Sequence, residues 1–180
     1  MKHILLELAS KSIRDELENS ATVDRQSVLQ QHPEFNEKRA TFVTLNLNGQ
    51  LRGCIGSLLP HRNLVDDVVQ NAKSAAFHDP RFLPLSKAEF ENVEIEISLL
   101  SVPEPLEYSS ADDLKSKISV GKDGVILRLD GYQATFLPQV WEQLPTFELF
   151  FNHLCQKAGL GGGCLAKHPE IQLYQVEKIT

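Results

Sequence analysis

The sequence predicts an α+β protein, and three observations carry that expectation. Two segments of alternating apolar and polar residues fold back on the turn dipeptides Asn48-Gly49 and Asp130-Gly131, as β-hairpins do. Val93, Ile95, Ile97 and Leu99 alternate with Glu94, Glu96 and Ser98, the period of a half-buried strand. Apolar residues elsewhere recur at helical spacing. With 180 residues, 42% of them hydrophobic, the chain can build one substantial core with room for a small appended lobe.

The elements follow in order. Ile4, Leu5, Leu8, Ser12, Ile13 and Leu17 predict an amphipathic helix over 3–18, with Glu7/Lys11 and Arg14/Glu18 as i,i+4 pairs on its polar face. Residues 19–38 are polar, broken by His32-Pro33, and read as a connecting arm with a short helix at 25–31. Strands are expected at 40–47 and 51–58, and Pro60 ends the second. Asn63 is placed to cap a helix over 64–77 whose buried stripe is Val65, Val68, Val69, Ala72 and Ala76; Pro80 stops it, because the residue before a proline avoids helical geometry. A strand at 93–102, a short helix at 112–118 and the hairpin 124–129/132–137 come next. Phe147, Phe150, Phe151, Leu154, Cys155 and Ala158 line a helix that ends at Gly159, and 171–179 is the last strand. The Gly161-Gly162-Gly163 run lacks the spacing of a nucleotide loop and reads as flexible.

The composition excludes several classes. No apolar run approaches the ~20 residues of a membrane span, and Glu7 interrupts the only candidate for a signal-peptide core, so a cytoplasmic protein is expected. A formal charge of -6 and the lack of a basic, aromatic-interleaved stripe disfavour nucleic acid. Three widely spaced cysteines, Cys54, Cys155 and Cys164, read as reduced thiols. His153, Cys155, Cys164 and His168 have zinc-ligand chemistry but lack the paired short spacings of zinc modules, so no metal is expected. No cofactor is called for.

The chemically suggestive segment is Arg52-Gly53-Cys54-Ile55-Gly56, because glycines inside a strand mark a bulge or a close approach by backbone or ligand. Strand alternation puts Arg52 and Cys54 on one face, roughly 7 Å apart. A two-residue turn at Asn48-Gly49 would set Arg52 beside Leu45 and mix charge with core. A three-residue loop with a bulge at Gly49 would group Val43, Leu45, Leu51 and Ile55 on one face and Thr44, Asn46, Arg52 and Cys54 on the other, so the odd loop is expected. Arg52 would then favour a reactive Cys54 thiolate. The plainer reading makes Cys54 a small buried hydrophobe. A nucleophile needs a base, and His78 with Asp79 is the candidate, with Arg81 as an anion donor. The plainer readings there are a histidine at a helix C-terminus and an Asp-Pro turn.

Five segments run in a recognisable order: Leu51-Arg52-Gly53-Cys54-Ile55-Gly56, Ala76-Phe77-His78-Asp79-Pro80-Arg81-Phe82, Val93-Glu94-Ile95-Glu96-Ile97-Ser98, Phe136-Leu137-Pro138-Gln139-Val140 and Leu154-Cys155-Gln156-Lys157-Ala158-Gly159-Leu160. Here the sequence resembles the AMMECR domain family, called AmmeMemoRadiSam system protein A in bacteria and archaea. The likeness covers roughly 40–180, leaving 1–39 as an N-terminal helix and arm of a single domain. The resemblance implies an antiparallel sheet flanked by helices, two-lobed, with a cleft where the first two motifs meet. It also implies Memo-like and radical S-adenosylmethionine partner proteins. Gly161 to Leu165 departs from the family pattern of proline-containing loops and a tryptophan.

Two functions therefore compete. One is an enzyme or small-ligand site with Cys54 and His78 catalytic, and Arg52, Gly53, Gly56, Asp79 and Arg81 binding. The other is a module that docks a partner without turnover, using Phe77, Phe82 or Trp141 where these face solvent.

Overall fold

The structure, a computed structural model, describes residues 2–180 and has an α+β fold with antiparallel strand pairing. It divides into two compact units, one running to Leu100 and including Glu177–Thr180, the other Ser101–Val176. Each has its own apolar cluster, where composition alone suggested one core with a small lobe.

In the first unit, α1 (Lys2–Glu18) and α3 (Leu64–Phe77) pack on one face of the sheet β2-β1-β3, built from β1 (Thr41–Leu47), β2 (Gln50–Gly56) and β3 (Val93–Leu100). Leu5, Leu8 and Ile13 of α1 meet Val65, Val68 and Ala72 of α3 over Val43, Leu45 and Ile97. The expected Glu7/Lys11 and Arg14/Glu18 pairs do not close as ion pairs; Arg14 lies over the Phe90 ring instead. Asp15, on the buried side of α1, accepts hydrogen bonds from Ser20, Thr22 and Val23 and so fastens the arm that leads to α2 (Arg25–Gln31). Asn63 stands at the N-cap of α3 but gives it no side-chain cap; its amide donates to Asn36. The start of α3 is held by Asp67 instead, a buried carboxylate that takes hydrogen bonds from Thr41 N and Oγ1, Asn71, Ser57 and Arg62. Five donors satisfy a charge that would otherwise be costly to bury.

The β1–β2 hairpin corrects one expectation and preserves part of its consequence. Leu47 pairs with Gln50 across a two-residue turn in which Asn48 (φ 52°) and Gly49 (φ 74°) both adopt positive φ, the geometry that matches strand twist. The face parity is reset by a bulge further along, where Asn46 pairs with Leu51 and Leu45 with Gly53, leaving Arg52 as the extra residue. Beyond it Val43 faces Ile55 and Thr44 faces Cys54, as the odd loop would have arranged. Leu51, however, lands opposite Asn46 and is 44% exposed rather than joining the core.

A short helix α4 (Lys87–Phe90) precedes β3, closed by a capping box between Ser86 and Glu89. The Ser-x-x-Glu signature is in the sequence and is the signal by which α4 could have been found.

The second unit pairs β4 (Glu104–Pro105), β7 (Glu170–Ile179), β5 (Asp123–Leu129) and β6 (Tyr132–Phe136) in that order; the last residues of β7 belong to the first unit, where Ile179 is buried. Helix α6 (Phe147–Lys157) covers this sheet, with Phe150 stacked on the buried Trp141, and α5 (Ala111–Lys117) contributes Leu114 to the same cluster. The reading of three reduced thiols is overturned: Cys155 and Cys164 form a disulfide, leaving Cys54 free. Positive φ at Gly159, Gly161 and Gly163 turns the chain back sharply after α6, so that the two Cα atoms come within 5.7 Å. The glycine run is therefore spanned by a covalent tie. His153 bonds the Leu149 carbonyl and His168 stacks on Tyr108, and no group of three metal-ligand side chains converges among the described residues. No helix among them is long and apolar enough to cross a membrane.

Candidate functional site

The sequence motifs that contain Cys54 and Asp79 meet in the first unit, along the outer edge of β2. An outer strand leaves every second N–H and C=O without a strand partner. At Cys54 the turn after α3 supplies both: the Cys54 N–H donates to Asp79 Oδ2 (2.9 Å), and the Cys54 carbonyl accepts from Arg81 Nη2 (3.3 Å). Asp79 and Arg81 are also bonded to each other, Nη2 to Oδ2 at 2.7 Å and Nε to Oδ1 at 3.0 Å, while the Arg81 amide adds 3.1 Å to Oδ1. Asp79 is only 4% exposed. The Arg81 guanidinium, followed by the Cys54 and Arg81 amides, holds its carboxyl well below the usual carboxylate range despite burial.

Arg52, the bulge residue, forms a second such lock. Its Nε and Nη2 donate to Glu89 Oε1 (2.8 Å) and Oε2 (3.1 Å), and Nη2 also reaches the Leu83 carbonyl at 3.0 Å. The guanidinium, with the Ser86 amide behind it, lowers the Glu89 carboxyl to about 2. Nη1 of Arg52 is buried without a hydrogen-bond partner. The Phe82 ring packs against both cations, 5.7 Å from the Arg52 guanidinium and 5.5 Å from that of Arg81.

The two glycines of the motif have packing reasons. A Cβ on Gly53 would stand 2.1 Å from the Ala75 carbonyl of α3, and one on Gly56 would stand 2.2 Å from the Phe42 ring. Close backbone and ring approach is enough to require glycine at both positions.

The remaining predicted residues are not brought together as a catalytic pair. The half-buried Cys54 thiol lies 3.3 Å from Thr44 Oγ1. The exposed His78 ring makes no hydrogen bond to it; His78 ends α3 with its amide on Ser74 O. Arg52 and Arg81, the proposed anion contacts, are each paired with a carboxylate of the protein. Sequence reading missed Glu89, the Asp67 group and Leu83. Asp67 and Asn71 share helical spacing with Val68 and Ala72, a visible signal. Leu83 carries none, since an apolar residue between Phe82 and Pro84 reads as core; it is 83% exposed.

Comparison with known proteins agrees with the motifs. A family model described as AMMECR1 matches residues 6–179. A protein of Methanothermobacter thermautotrophicus is 40% identical over 148 residues, covering 79% of this chain and 74% of its own. One of Thermofilum pendens is 32% identical, covering 97% and 85%. The crystal structure of uncharacterized protein PH0010 from Pyrococcus horikoshii superposes with a TM-score of 0.80 at 33% identity, over 97% of this chain and 88% of that one. With the matched model spanning both compact units, the chain belongs to the AMMECR1 family.

Proposed function

We propose that the protein is a cytoplasmic binding module that docks a partner protein through the loop Pro80 to Pro84, the partner being the Memo-like or radical S-adenosylmethionine protein that the family resemblance implies. The observation that carries this is Leu83, 83% exposed at the tip of a loop fastened on both sides by paired guanidinium and carboxylate groups. A large apolar side chain held out to solvent on an ordered loop is the pattern of an interface anchor, because the ordering cost is met before the partner arrives. Pro80 and Pro84 restrict the backbone on either side, and the exposed Leu51 lies next to Arg52 on the adjoining strand.

A second reading makes Cys54 a nucleophile, with His78 moving the proton and Arg52, Gly53, Gly56, Asp79 and Arg81 forming the binding site. The half-buried thiol beside Thr44 favours it. Against it stand the internal pairing of both guanidiniums and the separation of His78 from the sulfur's hydrogen bonds.

Calorimetric titration of the purified full-length chain with each purified partner separates the readings. Leu83→Asp is expected to weaken binding by roughly thirtyfold or more, the loss typical of a central anchor. Cys54→Ser is expected to bind as wild type. Wild-type affinity in Leu83→Asp would refute docking through this loop, and loss of activity or binding in Cys54→Ser alone would favour the thiol.

A further inference from the structure

Away from this edge, the second unit contains a hollow of about 350 Å³ lined by Ser101, Val102, Glu104, Leu106, Asp123 and Gln175 among others. Asp123 is 95% buried by its 5% exposure, yet no lysine or arginine pairs with it among the described residues. Its Oδ2 accepts one strong hydrogen bond, from the Ser119 amide at 2.7 Å. Its Oδ1 has only Gln175 Nε2 at 3.5 Å, the outer limit of a hydrogen bond. The contrast with Asp67 and Asp79 is direct, for those buried carboxylates each have an arginine and several short donors. A buried carboxylate with one oxygen left this open can take a cationic donor.

The surroundings specify which kind. Glu104 adds a second carboxylate at the exposed side of the hollow, while Val102, Pro105, Leu106 and Leu173 give apolar walls. Ser101 Oγ accepts from the Gln175 amide and keeps its own proton available. Two carboxylates without a third ligand group do not make a metal site, and apolar walls suit a carbon chain. We propose that this hollow binds a primary ammonium group carried on a short aliphatic chain, from a free amine or a lysine side chain, with Asp123 as its buried counter-ion and Glu104 at the entrance.

Trp141 reports on the place, because its indole N–H donates to the Asp123 carbonyl at 2.8 Å and it is the one tryptophan of the chain. The test titrates n-butylammonium chloride and, separately, Nα-acetyl-lysine methylamide into the full-length protein, following the indole ¹H–¹⁵N resonance, with sodium chloride at equal ionic strength as reference. A saturable shift is expected from at least one amine and not from the salt, and the tighter of the two identifies the source. Asp123→Asn, which keeps an acceptor for Ser119, is expected to raise Kd by roughly tenfold, as when a charge-assisted pair is reduced to a neutral one. Glu104→Lys changes an exposed residue and supplies the protein's own ammonium, so it is expected to abolish the shift. A shift that fails to saturate, or equals that of the salt, would overturn the proposal. So would wild-type affinity in either variant.

Discussion

Replacing Asp79 by asparagine tests whether the turn after α3 closes the edge of β2. The carboxylate takes four hydrogen bonds, from Arg81 Nη2, Nε and N and from the Cys54 amide, at 2.7 to 3.1 Å. Asparagine keeps one acceptor oxygen and turns an N–H₂ group toward donors. Two charge-assisted bonds are then lost, and hydrogen bonds to charged groups contribute about 1.5–3 kcal/mol each. The Arg81 side chain is 53% exposed and regains water, which offsets part of that loss, so the net cost is about 2–3 kcal/mol. At roughly 2–4 °C per kcal/mol for a chain of this length, the melting temperature of the protein should fall by about 4–12 °C. Hydrogen exchange of a peptide containing Cys54 localises the effect, since its amide is protected by Asp79 and by no strand. Unchanged exchange at Cys54, with stability within the about 0.5 kcal/mol typical of surface substitutions, would refute the edge-closing role. Acid should mimic the substitution. Because folding lowers the Asp79 carboxyl below its ordinary 3.8, the unfolded chain binds more protons in that window, so this stabilisation is complete above pH 3.8 and is lost as the pH falls through the folded value. Glu89 adds a loss of the same sign between its ordinary 4.5 and about 2.

Gly53→Ala should destabilise the first unit by about 1–3 kcal/mol or more, because the new methyl meets the Ala75 carbonyl at 2.1 Å, and thermal melting measures it. Gly49→Ala, where only positive φ is at stake and nothing lies within 4 Å, is the milder comparison at about 1 kcal/mol. Alkylation of denatured, unreduced protein should modify Cys54 alone, read by intact mass; three modified thiols would refute the Cys155–Cys164 bond. Reduction should lower the stability of the second unit by about 2–3 kcal/mol, the chain-entropy value for a loop this short.

Local periodicity and turn chemistry sufficed for most elements, because Asn48-Gly49, Asp130-Gly131 and the helical stripes act through neighbours in sequence. They also picked out two segments that meet in the fold, Arg52 to Gly56 and Asp79 to Phe82. What they could not show was which partner each charge would choose. Arg52 was expected beside Cys54, yet the bulge and the capping-box residue Glu89, 37 positions away, gave it a carboxylate.

The amino-acid order by itself determined the family, the α+β class and the two hairpins, since each depends on short-range pattern and on motifs read in series. Only the tertiary structure decided that Cys155 and Cys164 are joined, that Leu83 stands in solvent and that Asp123 is buried with no lysine or arginine partner among the described residues. Burial and pairing are set by which distant segments come into contact, and no local propensity encodes that distance.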